Sequence, residues 1–162
     1  MTPIQSIKTC AVKYVEFSGR ATRSEFWWFI LITLAVTFAL IFVDATLFEI
    51  ASFDRENSFS PLAELFGLAV FIPSISVLQR RIQDTGRNAR PWIVTFIVIS
   101  LLGYAITIFE LVSPNADLVY SNGYAFMGFL VLAALIAIIV ATVKPSEPRD
   151  NIYGPKPDWI NP

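Results

Sequence analysis

Four long apolar blocks constrain the fold of this chain more than any other feature of its sequence. They cover roughly residues 26–48, 61–81, 91–112 and 124–143. At a rise of about 1.5 Å per residue, a helix of about 20 residues spans the ~30 Å hydrocarbon core of a bilayer. Lipid offers the backbone no hydrogen-bond partner, so each block must satisfy its own backbone groups as a helix. The sequence therefore predicts an all-α membrane protein with four transmembrane helices.

The composition agrees with that class and limits the possible chemistry. Hydrophobic residues make up 55% of the 162 residues and charged residues only 15%, whereas a soluble domain usually carries about a quarter of charged residues. There is no histidine, and Cys10 is the single cysteine. The commonest general base and metal ligand is therefore missing, and an intramolecular disulfide is impossible. We expect no catalytic residue, no metal, no cofactor and no nucleic-acid partner.

The distribution of Lys and Arg predicts the orientation in the membrane. Eleven of the twelve lie before the first block, between the second and third blocks, or in the tail. Only Arg55 lies between the first and second blocks. Short loops retain basic residues on the cytoplasmic face. The three basic segments share one side only if there are four spans and both termini are cytoplasmic.

The segments that flank the four-span domain (residues 22–143) have distinct patterns. In residues 1–17, a capping box with proline at the first helical position is followed by apolar residues at helical spacing, namely Ile4, Ile7, Ala11 and Tyr14. This pattern predicts an amphipathic interfacial helix over about Pro3 to Val15, lying in the headgroup plane. Residues 144–162 carry five prolines and are expected to form a non-helical cytoplasmic tail.

Local signals mark the ends of the first two spans. Thr22 and Glu25 form a second capping box, and Ser60 is expected to cap a helix that starts at Pro61. Pro73 lies inside the second span, where it removes one helical hydrogen bond and predicts a kink.

Charged residues cluster at the predicted cytoplasmic ends of the first two spans, which we call the cytoplasmic rim. Because the two spans are antiparallel, these residues meet at one membrane level. A basic pocket for an anionic ligand is one interpretation. The favoured one is a topology signal with structural ion pairs, in which Asp84 binds Arg81 or else Arg23, helped by anionic lipid at ~1 kcal/mol per basic residue. The candidates are Arg20, Arg23, Glu25, Arg80, Arg81, Asp84 and Arg87.

Three motifs in order along the chain carry a family resemblance. They are GRATRSEFWW (residues 19–28), RRIQDTGR (80–87) and NIYGPKP (151–157). Together they resemble the family called domain of unknown function 805, and the resemblance implies a small bacterial inner-membrane (plasma-membrane) protein. In the family pattern, Gln83 stands where histidine is usual. The tail residues that match the pattern are Asn151, Tyr153, Gly154, Pro155 and Pro157.

These observations favour a non-enzymatic membrane component that binds anionic lipid headgroups or a protein partner at the cytoplasmic rim. A small oligomeric transporter or channel is the first alternative, although the middles of the four spans hold no ionisable residue of the kind that coupled carriers use. An intramembrane enzyme acting on phosphorylated lipids is the second, with the arginines binding phosphate and Asp84 as base. The expected partner is the lipid bilayer with its anionic headgroups, and another protein or a second copy of the chain is a further candidate.

Overall fold

Five α-helices make up the regular structure of the part of the chain that the computed structural model describes, which is residues 1–47, 60–112 and 121–155. They are α1 (Pro3–Val12), α2 (Arg23–Leu47), α3 (Pro61–Asp84), α4 (Arg90–Val112) and α5 (Ser121–Val143). The described residues form no β-strand beyond one isolated bridge between Asn151 and Gly154. The all-helical prediction is confirmed, and the four longer helices coincide with the four apolar blocks.

Both N-terminal helices begin at the predicted capping residues. In α1 the Thr2 hydroxyl accepts the Gln5 N–H and the Gln5 side chain accepts the Thr2 N–H, which is the reciprocal capping box. In α2 the Thr22 hydroxyl accepts the Glu25 N–H at 2.9 Å. α1 ends at Val12, three residues before the predicted end, because Lys13 leaves helical geometry.

α3 starts at Pro61, but a residue of the neighbouring helix caps it. The Ser60 side chain makes no capping hydrogen bond, contrary to the sequence-based expectation. Instead the fully buried Asp44 carboxylate, near the end of α2, accepts the N–H groups of Leu62 and Ala63 at 3.0–3.2 Å. A carboxylate suits a helix N-terminus because it satisfies free N–H groups and complements the helix dipole. This bond fixes the register of α3 against α2.

Pro73 leaves a gap in α3 that the N-terminal segment fills. Without an N–H, Pro73 cannot donate to the Ala69 carbonyl one turn earlier. The Tyr14 hydroxyl donates to that carbonyl instead. Nearby, the Ser76 hydroxyl shares its single proton between the Lys13 carbonyl at 2.9 Å and the Glu16 carbonyl at 2.6 Å. The segment after α1 is therefore held along the middle of α3 by its own polar groups.

The chain divides into two compact units. One comprises residues 1–89 together with the described part of 145–162, and the other comprises residues 90–144. Within the described residues, α2 and α3 are long and apolar enough to cross a membrane, and few residues of their most apolar windows are buried. Shorter apolar stretches in α4 and α5 cover Arg90–Gly103 and Gly128–Val143.

Candidate functional site

Asp84, the last residue of α3, is the centre of a buried charge network that we call the arginine cluster, comprising Arg20, Glu25, Arg80, Arg81 and Asp84. The Asp84 carboxylate is fully buried, and both of its oxygens accept hydrogen bonds. Arg20 Nε donates to Oδ1 at 2.8 Å. Arg81 Nη1 and the Ser146 hydroxyl both donate to Oδ2. Charge-assisted hydrogen bonds of this kind are about twice as strong as neutral ones.

A second ion pair joins the start of α2 to α3. Arg80 Nη1 donates to Glu25 Oε1 at 2.6 Å, and both side chains are buried. The Ala21 N–H donates to the Arg80 carbonyl at 3.2 Å, so the backbone before α2 is also held to α3. Glu25 thus connects the entry of α2 to the exit of α3.

α1 covers the Glu25–Arg80 pair with two small residues one turn apart. The buried Ser6 hydroxyl donates to the Glu25 carbonyl, and Cys10 is also buried. Burial, followed by the charge of Glu25, raises the pKa of the Cys10 thiol to about 11, against the opposing effect of Arg80. Within the described residues, Arg80 Nε and Nη2 have no hydrogen-bond partner, and a thiol sulfur is at best a weak acceptor.

The tail folds back onto Arg20 and the end of α3. Arg20 donates to the carbonyl oxygens of Glu147, Arg149 (2.9 Å) and Pro155 (3.4 Å). The Glu147 N–H donates to the Asp84 carbonyl at 2.8 Å. One guanidinium therefore binds the end of α3 and three points along the tail, which holds the tail against α3.

Asn151 fixes the shape of the tail and fastens it to α3. Its side-chain amide donates to the Gln83 carbonyl at 3.1 Å and to the Glu147 carboxylate at 3.0 Å, and its side-chain oxygen accepts the Tyr153 N–H. The Gln83 carbonyl lies in the last turn of α3 and also accepts the Gly86 N–H at 3.0 Å. Gly86 follows the end of α3 with φ +74°, and a Cβ there would lie 2.5 Å from the Glu147 carboxylate. The positive φ of the turn therefore favours glycine, and a larger residue would displace the Glu147 carboxylate.

The structure brings five of the seven rim candidates into the arginine cluster. Arg87, after Gly86, has an exposed side chain. Arg23, at the start of α2, is also exposed, and its charge acts on Arg81. Among the tail residues, Asn151, Gly154 and Pro155 contact the cluster or α3, and Tyr153 contributes its backbone N–H to the turn. Pro157 lies outside the described residues.

Two contributors were missed by sequence reasoning. Ser146 enters the network through its hydroxyl, and Glu147 contributes its backbone and its carboxylate. Proximity to the tail motif was the only available signal, because neither residue belongs to that motif. Within residues 1–47, 60–112 and 121–155, no group of three or more His, Cys, Asp or Glu residues is placed to hold a metal ion.

The three segments that meet at this site are the three motifs that carry the family resemblance. A sequence model of the family described as "Protein of unknown function (DUF805)" matches residues 14–155. This chain belongs to that family. The match spans both ion pairs and the docked tail.

Two curated relatives from Escherichia coli K12 are similar to this chain. One is the inner membrane protein YhaH, 37% identical over 95 residues, which cover 59% of this chain and 74% of the relative. The other is the inner membrane protein YhaI, 36% identical over 85 residues, which cover 52% of this chain and 64% of the relative. No solved structure matches the chain significantly. The chain is thus a helical membrane protein of a family whose named relatives are inner membrane proteins.

Proposed function

We propose that this protein is a four-span, non-enzymatic component of the inner membrane that binds anionic lipid headgroups on its cytoplasmic face. The basic asymmetry of the loops supports four spans with both termini in the cytoplasm. In this orientation, the arginine cluster and the docked tail form a folded cytoplasmic cap at the inner ends of α2 and α3. The exposed apolar residues of α1, such as Ile4 and Val12, face the inner headgroup layer.

The observation that carries this proposal is the division of the basic residues into two groups. Arg20, Arg80 and Arg81 are bound within the protein to carboxylates and carbonyl groups, so their role is structural. A second group is exposed in the same unit and comprises Lys8, Arg87 and Arg149. Three such residues near an anionic surface contribute about 3 kcal/mol at ~1 kcal/mol each.

The state of Asp84 weighs against the enzymatic alternative. A general base needs a carboxylate oxygen within reach of a substrate proton. Both Asp84 oxygens are occupied by protein donors, and the side chain is fully buried. The carboxylate is better suited to holding Arg20, Arg81 and the tail together than to removing a proton.

Native mass spectrometry after extraction in mild detergent tests the proposal. The wild-type protein is expected to retain phosphatidylglycerol or cardiolipin in preference to phosphatidylethanolamine. Changing Lys8, Arg87 and Arg149 to Gln should remove that preference, because the attraction is electrostatic. The control variant, Glu16→Gln with Asp150→Asn, alters exposed charges of the opposite sign and should keep it. Equal retention of anionic lipid by the wild type and the three-residue variant would contradict the proposal. A stoichiometric co-purifying protein would favour the partner alternative.

A further inference from the structure

Polar groups of the N-terminal segment lie closer to the middle of α3 than the arginine cluster does. Lys13 and Glu16 form an exposed ion pair at 3.3 Å, and their carbonyl groups accept the Ser76 hydroxyl. Ser76 precedes Arg80 by four residues, or about 6 Å along α3. An exposed ion pair needs water or headgroups around it. The cytoplasmic boundary of the hydrocarbon therefore lies at about Ser76 or farther from Arg80 along α3.

The aromatic residues of α2 place the inner boundary at the same level. The contacts from Glu25 to Arg80 and from Asp44 to Leu62 align α2 and α3 antiparallel. In this register Trp28 lies level with about Val77, and its side chain is 39% exposed. Indole side chains are enriched at the membrane interface, which agrees with a boundary near Ser76.

The other end of the helix pair is marked by acidic residues. Asp44 binds the first N–H groups of α3, and Glu64 lies in the first turn of α3 with a half-buried side chain. Leu62 and Ser76 are fourteen residues apart, or about 21 Å along the helix. On α2, Trp28 and Asp44 are sixteen residues apart, or about 24 Å.

The surface between these two levels is apolar and contains no charged residue in α2 between Phe29 and Val43 or in α3 between Leu65 and Ile75. Its exposed side chains include Leu31, Leu34, Phe38, Leu65 and Leu68. The band is thus about 21–24 Å tall, compared with ~30 Å for the hydrocarbon core of a typical bilayer. Helix tilt would shorten it further along the membrane normal.

We propose that the α2–α3 hairpin and its docked N-terminal segment bind the bilayer in a locally thinned form, with acyl chains covering a band of about 21–24 Å. The inference rests on the membrane orientation proposed above and specifies the lipid that the protein selects. The N-terminal segment is the element that shortens the band. Tyr14 is bonded to Ala69, and the carbonyls of Lys13 and Glu16 to Ser76, so this segment cannot rise to the level of Arg80 without losing these bonds.

Reconstitution in vesicles of neutral phosphatidylcholine with different acyl chains tests the inference. The wild-type protein should have its highest Tm with short myristoleoyl chains and lower values with oleoyl and erucoyl chains. Lys13→Leu with Glu16→Leu removes the inner ion pair and extends the apolar band, so the optimum should move to oleoyl chains. Ser18→Leu replaces an exposed polar side chain of the same segment, nearer to Arg20 and outside the band, and should leave the optimum at myristoleoyl.

Two results of the Tm measurements would overturn the inference. One is a wild-type optimum at oleoyl or longer chains, which decides the matter even if the double variant fails to fold. The other is an unchanged optimum in a folded double variant. A depth measurement adds a test that is independent of stability. A nitroxide attached to a Val15→Cys variant, in a Cys10→Ser background, should lie at the lipid–water boundary in myristoleoyl vesicles. A label in bulk water would also overturn the inference. Because the vesicles carry no anionic lipid, these outcomes are separate from the headgroup binding proposed above.

Discussion

Asp84 is the residue whose replacement should disturb the arginine cluster most. It binds Arg20, Arg81 and Ser146 in a fully buried position, so Asp84→Ala leaves two buried guanidinium groups without their carboxylate. Breaking a buried ion pair in this way costs about 3–5 kcal/mol. We expect a large fall in thermal stability in mild detergent, measured by a thermal-shift assay. Combining Asp84→Ala with Arg20→Gln or Arg81→Gln should restore part of the loss.

The matched control for this cycle is Arg87→Gln, since Arg87 is exposed and lies three residues after Asp84. Its effect should add to that of Asp84→Ala. Strict additivity with Arg20 and Arg81 as well would mean that the network does not couple these residues energetically.

Cys10 provides a second prediction at this scale. A pKa raised from 9.0 to about 11 lowers the thiolate fraction at pH 8 about a hundredfold, and burial also blocks access to reagents. Maleimide should therefore label Cys10 at least a hundredfold more slowly in the folded protein than after denaturation in SDS. The folded state holds the thiol proton more tightly than the unfolded state does. Cys10 therefore leaves the free energy of unfolding unchanged below pH 9 and lowers it as the pH rises from 9 towards 11.

Moving the thiol provides the control for Cys10. In a Cys10→Ser background, Val12→Cys places a thiol where the native side chain is 78% exposed. It should react quickly in the folded state. Fast labelling of native Cys10 would show that α1 does not stay packed over Glu25 and Arg80.

The sequence predicted which segments meet at the cytoplasmic rim, but it identified individual partners only where they lie close together along the chain. Thr2 and Gln5, and Arg81 and Asp84, are three residues apart on one helix, so helical geometry alone brings them together. Arg20, by contrast, reaches Asp84 across 64 positions and the Pro155 carbonyl across 135. No periodicity encodes such contacts, although the presence of the three segments as motifs indicated that they matter.

At the scale of secondary structure elements, Tyr14 and Pro73 should be energetically coupled. Tyr14→Phe leaves the Ala69 carbonyl without a donor, which costs about 1–3 kcal/mol for a buried group and less for this partly exposed one. In a Pro73→Ala background, the restored N–H can donate to Ala69 and complete the helix. Tyr14→Phe should then have little effect on thermal stability. An equal effect in both backgrounds would show that Tyr14 stabilises the protein by packing rather than through the Ala69 carbonyl.

The start of α3 was predicted correctly, but the residue that caps it was not. Ser60 and Pro61 correctly marked where α3 begins, because proline suits the first helical position. The capping group came from Asp44, eighteen residues earlier on another helix. Sequence patterns register local capping but carry no information about a carboxylate supplied by a packed neighbour.

The tail is an element whose docking depends on Asn151. Asn151→Ala removes the amide bonds to the Gln83 carbonyl and the Glu147 carboxylate and loosens the turn at Tyr153. We expect trypsin to cleave after Arg149 several times faster in this variant, measured by mass spectrometry of the detergent-solubilised protein. Ile152→Ala is the matched control, since that side chain is 90% exposed. Equal cleavage rates in the two variants would contradict the docking role of Asn151.

At the scale of the whole molecule, we predict a topology of four spans with both termini in the cytoplasm, which no local contact determines. Eleven basic residues flank the predicted inner ends of the spans and one lies on the outer side, and this asymmetry retains basic loops in the cytoplasm. A reporter enzyme that is active only in the cytoplasm should be active when fused after Trp159. A reporter that is active only after export should be active when inserted within residues 54–58. Replacing Arg80 and Arg81 would disturb the fold itself, so the control exchanges the exposed Arg87 and Arg90 for Gln, which should weaken the asymmetry without inverting the orientation. A cytoplasmic signal from the insertion at 54–58 would rule out the four-span arrangement and, with it, the assignment of the arginine cluster to the inner face.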